Sequence, residues 1–119
     1  MKNILIVDDS RTSRKILKGI LENSGYEIVA EATNGQEGYE KYVEFKPDVV
    51  TMDITMPVLD GIGALKKIVG EFPDAKVIMV TAAGQKTRMV EALQSGASEF
   101  VSKPFDSEQL RDVIEKVTA

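Results

Sequence analysis

The chain has 119 residues, with 43% hydrophobic and 29% charged content, the profile of one soluble globular domain. Its net charge of −4 argues against direct nucleic-acid binding, which needs a basic patch, and no apolar run approaches a membrane span. It contains no cysteine and no histidine, so disulfides, thiol nucleophiles, Cys-type zinc sites, Ser-His-Asp triads and phosphohistidine chemistry on this chain are excluded.

In chain order, the first element is an apolar strand, Ile4 to Val7, ended by Asp8 and Asp9. Those two aspartates mark it as a strand and not an export signal, and the cytoplasm is the default location. Ile16, Leu17, Ile20 and Leu21 then share the spacing of one helix face, and Asn23, Ser24 and Gly25 stop it. "YEIVAEAT" predicts a second strand. Asn34 with Glu37 three residues on predicts a capped helix running to about Phe45. "PDVVTMD" is a third strand, apolar enough for burial on both faces of a parallel sheet.

Asp60 is placed to cap a third helix carrying Ile62, Leu65, Ile68 and Val69 inward, although Gly63 and Gly70 weaken it. "AKVIMVTA" is the fourth strand. Met89, Val90 and Leu93 predict a fourth helix that stops at Gly96. "SEFVSKP" is a short fifth strand, and Ser107 or Asp106 caps a last helix with Leu110, Val113, Ile114 and Val117 inward. Strict alternation of strand and helix means α/β with a parallel sheet. No linker, repeat or low-complexity tract interrupts it, so residues 1–119 read as one domain.

In a doubly wound sheet, ligands bind beyond the carboxyl ends of the strands. The unusual polar residues fall at those ends: Asp8 and Asp9 after the first strand, Asp53 after the third, Thr81 after the fourth, Lys103 before Pro104 after the fifth. Each has an ordinary alternative, such as a helix cap, a strand-end hydroxyl or a turn lysine. Those alternatives do not explain why the strand ends share one chemistry. Clustered carboxylates repel and need a proton or a cation. Oxygen ligands suit Mg²⁺, and a carboxylate can act as a nucleophile toward phosphorus. A transferred phosphoryl group then needs positive charge and donors around it, which Lys103, the Thr81 hydroxyl and backbone N–H groups can provide.

The pieces "ILIVDDS", "PDVVTMDITMPVLDG", "VIMVTAAG" and "SGASEFVSKPF", in this order and spacing, resemble the receiver domains of two-component response regulators over essentially the whole chain. The resemblance implies a flavodoxin-like five-stranded parallel sheet of order 2-1-3-4-5 with helices on both faces. It implies that Asp53 is the phosphoacceptor and that Mg²⁺ is held by Asp8, Asp9, Asp53 and the main-chain carbonyl of Thr55. Lys103 would contact the phosphoryl group, with a cis bond to Pro104. Thr81 would swing toward it, and Phe100 would turn inward as the switch aromatic. Thr55 and Ala83 lie where the family tunes hydrolysis rate.

Within that family the chain looks most like the single-domain chemotaxis regulators that signal to the flagellar motor. A phosphorelay intermediate and a receiver cut from a longer regulator are the alternatives. The implied partners are a sensor histidine kinase, a phosphatase and a downstream protein. The downstream protein would dock on the fourth helix, fifth strand and fifth helix around Arg88, Glu91, Gln94, Glu99 and Phe100, with no nucleic-acid or membrane partner. Two other classes fit less well. A haloacid-dehalogenase-type phosphatase wants a second aspartate where Thr55 stands. A flavin or dinucleotide carrier wants a glycine- and hydroxyl-rich phosphate loop where "DDSRTSR" stands.

Overall fold

Five apolar segments pair as five parallel strands, because each is followed by an amphipathic helix that must cross over the sheet to reach the next. In the computed structural model, which describes residues 2–82 and 84–119, the strands are β1 (Asn3–Val7), β2 (Glu27–Ala32), β3 (Val49–Asp53), β4 (Val77–Thr81) and β5 (Glu99–Ser102). The helices are α1 (Arg11–Asn23), α2 (Gly35–Phe45), α3 (Gly61–Glu71), α4 (Lys86–Gln94) and α5 (Ser107–Val117). The sheet order is β2-β1-β3-β4-β5, as the resemblance implies.

Side chains alternate across the strands and fill two cores. Leu5, Val7, Val50, Met52, Val77 and Met79 pack with residues of α2, α3 and α4 on one face. Ile4, Ile6, Val49, Ile78 and Val101 pack with Leu17, Leu21, Leu110 and Ile114 of α1 and α5 on the other. β1 and β3 are adjacent, with Val7 opposite Met52. The chain leaves β1 outward to β2 and returns to β3. The order therefore reverses between β1 and β3, and the crevice opens where Asp8 and Asp53 emerge.

The caps are local. Ser10, Asn34, Asp60 and Asp106 each accept a hydrogen bond from a first-turn N–H of α1, α2, α3 and α5. Glu37 reaches back to the Thr33 N–H at 2.8 Å, one residue before the position of the expected box. Gly63 and Gly70 lie inside α3 despite their low helix propensity, since the apolar face of Ile62, Leu65 and Ile68 is fully covered.

The expected face of α1 is corrected, and the buried face of α4 is narrow. In α1, Leu17 and Leu21 form the buried line and Ile20 packs at its edge, but Ile16 is 56% exposed. In α4 the buried residue is Ala92, with Met89 packed beside it, while Val90 and Leu93 are 47% and 41% exposed. The small Ala92 lets the helix approach the sheet, which rotates the larger side chains toward solvent. Among the described residues no helix is long and apolar enough to cross a membrane.

Candidate functional site

β1 and β3 end side by side, so Asp8 and Asp53 are neighbours for topological reasons. Asp8 is 3% exposed. Its Oδ1 accepts the Ser10 N–H at 2.8 Å, and its main-chain carbonyl accepts from the Arg14 guanidinium at 2.7 Å. Asp9 is exposed at the lip of the site, and Asp53 is half-buried. One carboxylate oxygen from each of the three lies within 4.8 Å of the others.

β5 brings the counter-charge. The Lys103 ammonium lies 3.3 Å from Asp8 Oδ2 and 3.8 Å from Asp53 Oδ2. The main-chain N–H of Lys103 donates to the Thr81 carbonyl at 2.7 Å, which fixes the end of β5 against the end of β4. The Lys103–Pro104 bond is cis. One ammonium against three carboxylates leaves the cluster negative. Burial, first of all, pushes the Asp53 carboxyl up to about 6, and Asp8 and Asp9 push the same way against the pull of Lys103. Asp53 is still mainly ionised near neutral pH, and the Ile54 N–H holds its Oδ1 at 2.8 Å.

Hard oxygen donors converging in a pocket of uncompensated negative charge are the donor set that suits Mg²⁺, so the residues fit that ion. Thr55 follows in the exposed β3–α3 loop, where its hydroxyl accepts from the Gln85 carboxamide at 2.9 Å.

Thr81 is fully buried, and its hydroxyl donates to the Met89 sulfur at 3.3 Å, a weak acceptor. Phe100 stands opposite Met79 in the β4–β5 register and packs, half-buried, on the first core. Of the expected docking residues, Arg88 is tied to Asp60 at 2.7 Å and Glu99 to Lys116 at 2.8 Å, while Gln94 is exposed. Ala83 lies outside the described residues.

The structure thus brings Asp8, Asp9, Asp53 and Lys103 together, with Thr81 at the adjoining strand end. It also adds residues that sequence reasoning missed. Ser10 and Arg14 orient Asp8, although in the sequence they look like a cap and a surface cation. Gly61 approaches Asp53 so closely that a Cβ would stand 1.9 Å from the Asp53 carbonyl oxygen, and its N–H donates to the Ile54 carbonyl. Only glycine fits there. The signal was present in the "DG" of "MPVLDG".

The family described as response regulator receiver domain matches residues 4–115. The chain is 48% identical to a chemotaxis protein CheY of Thermotoga maritima over 117 residues, covering 98% of each chain. It is 49% identical to a chemotaxis protein CheY of Bacillus subtilis over 113 residues, covering 95% of this chain and 94% of that one. A crystal structure of a CheX–CheY–BeF3–Mg complex from Borrelia burgdorferi superposes with TM-score 0.93 at 37% identity, covering 99% of this chain and 90% of that one. The chain belongs to the response regulator receiver domain family.

Proposed function

We propose that this chain, as one receiver domain, accepts a phosphoryl group on Asp53 and signals by the change of surface that follows, in a chemotaxis pathway. One observation carries the reading. Asp53 is a half-buried carboxylate with oxygens of Asp8 and Asp9 within 4.8 Å and the Lys103 ammonium 3.8 Å away. A structural aspartate has no use for two acidic neighbours.

The step is a displacement at phosphorus. An Asp53 carboxylate oxygen forms the new bond to phosphorus. The bond from phosphorus to the donor breaks, and its electron pair leaves with the donor, an imidazole nitrogen of a sensor histidine kinase or the carboxylate of a small acyl phosphate. Lys103 offsets the charge on the equatorial oxygens. When bound by Asp8, Asp9, Asp53 and the Thr55 carbonyl, Mg²⁺ would supply the remaining positive charge. The Thr81 hydroxyl, held among the described residues by a thioether alone, can exchange that partner for a phosphoryl oxygen. Phe100 then follows by packing alone, since it has no phenolic group to bond.

The chemotaxis assignment is supported by near-full-length relatives that carry that name. A cytoplasmic location follows from the same role. The complex with CheX, seen for a similar protein, supports a phosphatase among the partners. Turnover of phosphate esters is not expected, because Thr55 stands where a haloacid-dehalogenase phosphatase has its acid.

Treatment with acetyl phosphate and Mg²⁺ should add one phosphoryl group to the intact mass of the wild type and none to Asp53→Asn. Equal labelling of the two would remove Asp53 as the acceptor.

A further inference from the structure

α4 is held differently from the other four helices. Its N-cap residue, Gln85, makes no capping bond to the helix, and Ala92 is its one fully buried side chain among the described residues. Polar ties hold its first turns instead. The Gln85 carboxamide oxygen accepts the Ala82 N–H at 3.2 Å, and its amide nitrogen donates to the Thr55 hydroxyl at 2.9 Å. One turn on, Arg88 donates to Asp60 at 2.7 Å, and Met89 accepts from the Thr81 hydroxyl. Residues 85, 88 and 89 share one helix face. Apart from Glu91 of α4, which also pairs with Arg88, these partners lie at the ends of β3 and β4 or in the loops that follow, which flank Asp53.

In the register of these strands Val80 stands opposite Asp53, so Thr81 and Ala82 are the next donors along the chain. A phosphoryl group on Asp53 brings charged oxygens to that place. Charged oxygens are better acceptors for the Ala82 N–H and the Thr81 hydroxyl than a neutral carboxamide and a thioether. We propose that Gln85 is a positioning residue. Its carboxamide clamps the β3–α3 loop to the end of β4 in the unphosphorylated protein, and modification of Asp53 must break that clamp. The inference rests on the phosphoacceptor reading above. Loss of the Gln85 and Thr81 bonds leaves α4 with the Arg88–Asp60 and Lys66–Glu91 pairs and the packing of Met89 and Ala92, so the helix is loosened at its N-terminal end. A contact present in one state alone opposes the other state by its full strength.

The test is the affinity of beryllofluoride, a phosphoryl mimic, in the presence of Mg²⁺, measured by calorimetry on the full chain. Gln85→Ala should bind it about two- to tenfold more tightly than wild type, the range expected from loss of neutral hydrogen bonds. Gln85→Glu keeps the acceptor and adds a negative charge, so it should bind more weakly than wild type. A merely structural role would lower the melting temperature equally with and without the mimic and leave affinity unchanged. Unchanged or weaker binding by Gln85→Ala would overturn the clamp. If wild type itself fails to bind the mimic, the phosphoacceptor reading falls, and the clamp with it.

Discussion

At the scale of single residues, the site is a set of charges whose cost is visible in Asp53. Asp8 and Asp9 were legible in the sequence because two carboxylates end an apolar strand, where a strand alone has no need of them. Ser10 and Arg14, which aim Asp8, were not, because an N-cap serine and a helix arginine have common uses elsewhere. The charge cost has a definite pH signature in metal-free protein. Folding raises the Asp53 carboxyl from about 3.9 in an unfolded chain to about 6, so the native state binds the extra proton between those values. Wild-type stability is therefore lost as pH rises through that window. Asp53→Asn has no such loss. Urea unfolding in a chelator should show the two proteins nearly equal near pH 4. Above about pH 6.5 the variant should be more stable, by an amount of the order of 2 kcal/mol. A difference that stays constant with pH would show that burial and acidic neighbours do not strain this carboxylate.

At the scale of elements, the strands were read correctly because short runs of two to four apolar residues, rich in Val and Ile, alternate with helical patterns and are bounded by turn signals. Helix faces were less legible. Ile16 and Val90 obey helical spacing, yet both point outward, because a small residue or a neighbouring leucine decides which line touches the sheet. The caps of α2, α3 and α5 were legible because Asn34, Asp60 and Asp106 make them with their side chains, whereas the Ser10 cap of α1 was not singled out and α4 has no side-chain cap. Gly19 shows that local propensity was not optimised. It lies within α1, has no positive φ, and a Cβ there would meet nothing within 4 Å. Gly19→Ala should raise stability by about 0.5–1 kcal/mol, with unchanged phosphorylation kinetics. A loss of stability would mean that the open space beside α1 is occupied in solution.

At the scale of the whole molecule, the site exists only in the folded chain. Asp9, Asp53 and Lys103 come from the ends of three strands separated by dozens of residues, brought to one edge by the order β2-β1-β3-β4-β5. The sequence carried this topology through strand–helix alternation, but the contact between Lys103 and both Asp8 and Asp53 depends on β5 standing at the sheet edge beside β4. A cation that needs all three carboxylates binds the native state and has no matching site in the unfolded one. Mass action then links Mg²⁺ to folding: above its Kd, each tenfold rise in free Mg²⁺ should add about 1.4 kcal/mol to the unfolding free energy. Asp9→Asn removes one oxygen ligand and some of the repulsion together. It should begin at least as stable as wild type in chelator and gain less as Mg²⁺ is raised, so the two titration curves cross. Curves that begin to rise at the same free Mg²⁺ would show that Asp9 is not a ligand, since loss of a ligand moves the onset to higher Mg²⁺. A flat wild-type curve would show that the acidic cluster holds no Mg²⁺ and that Lys103 alone balances it.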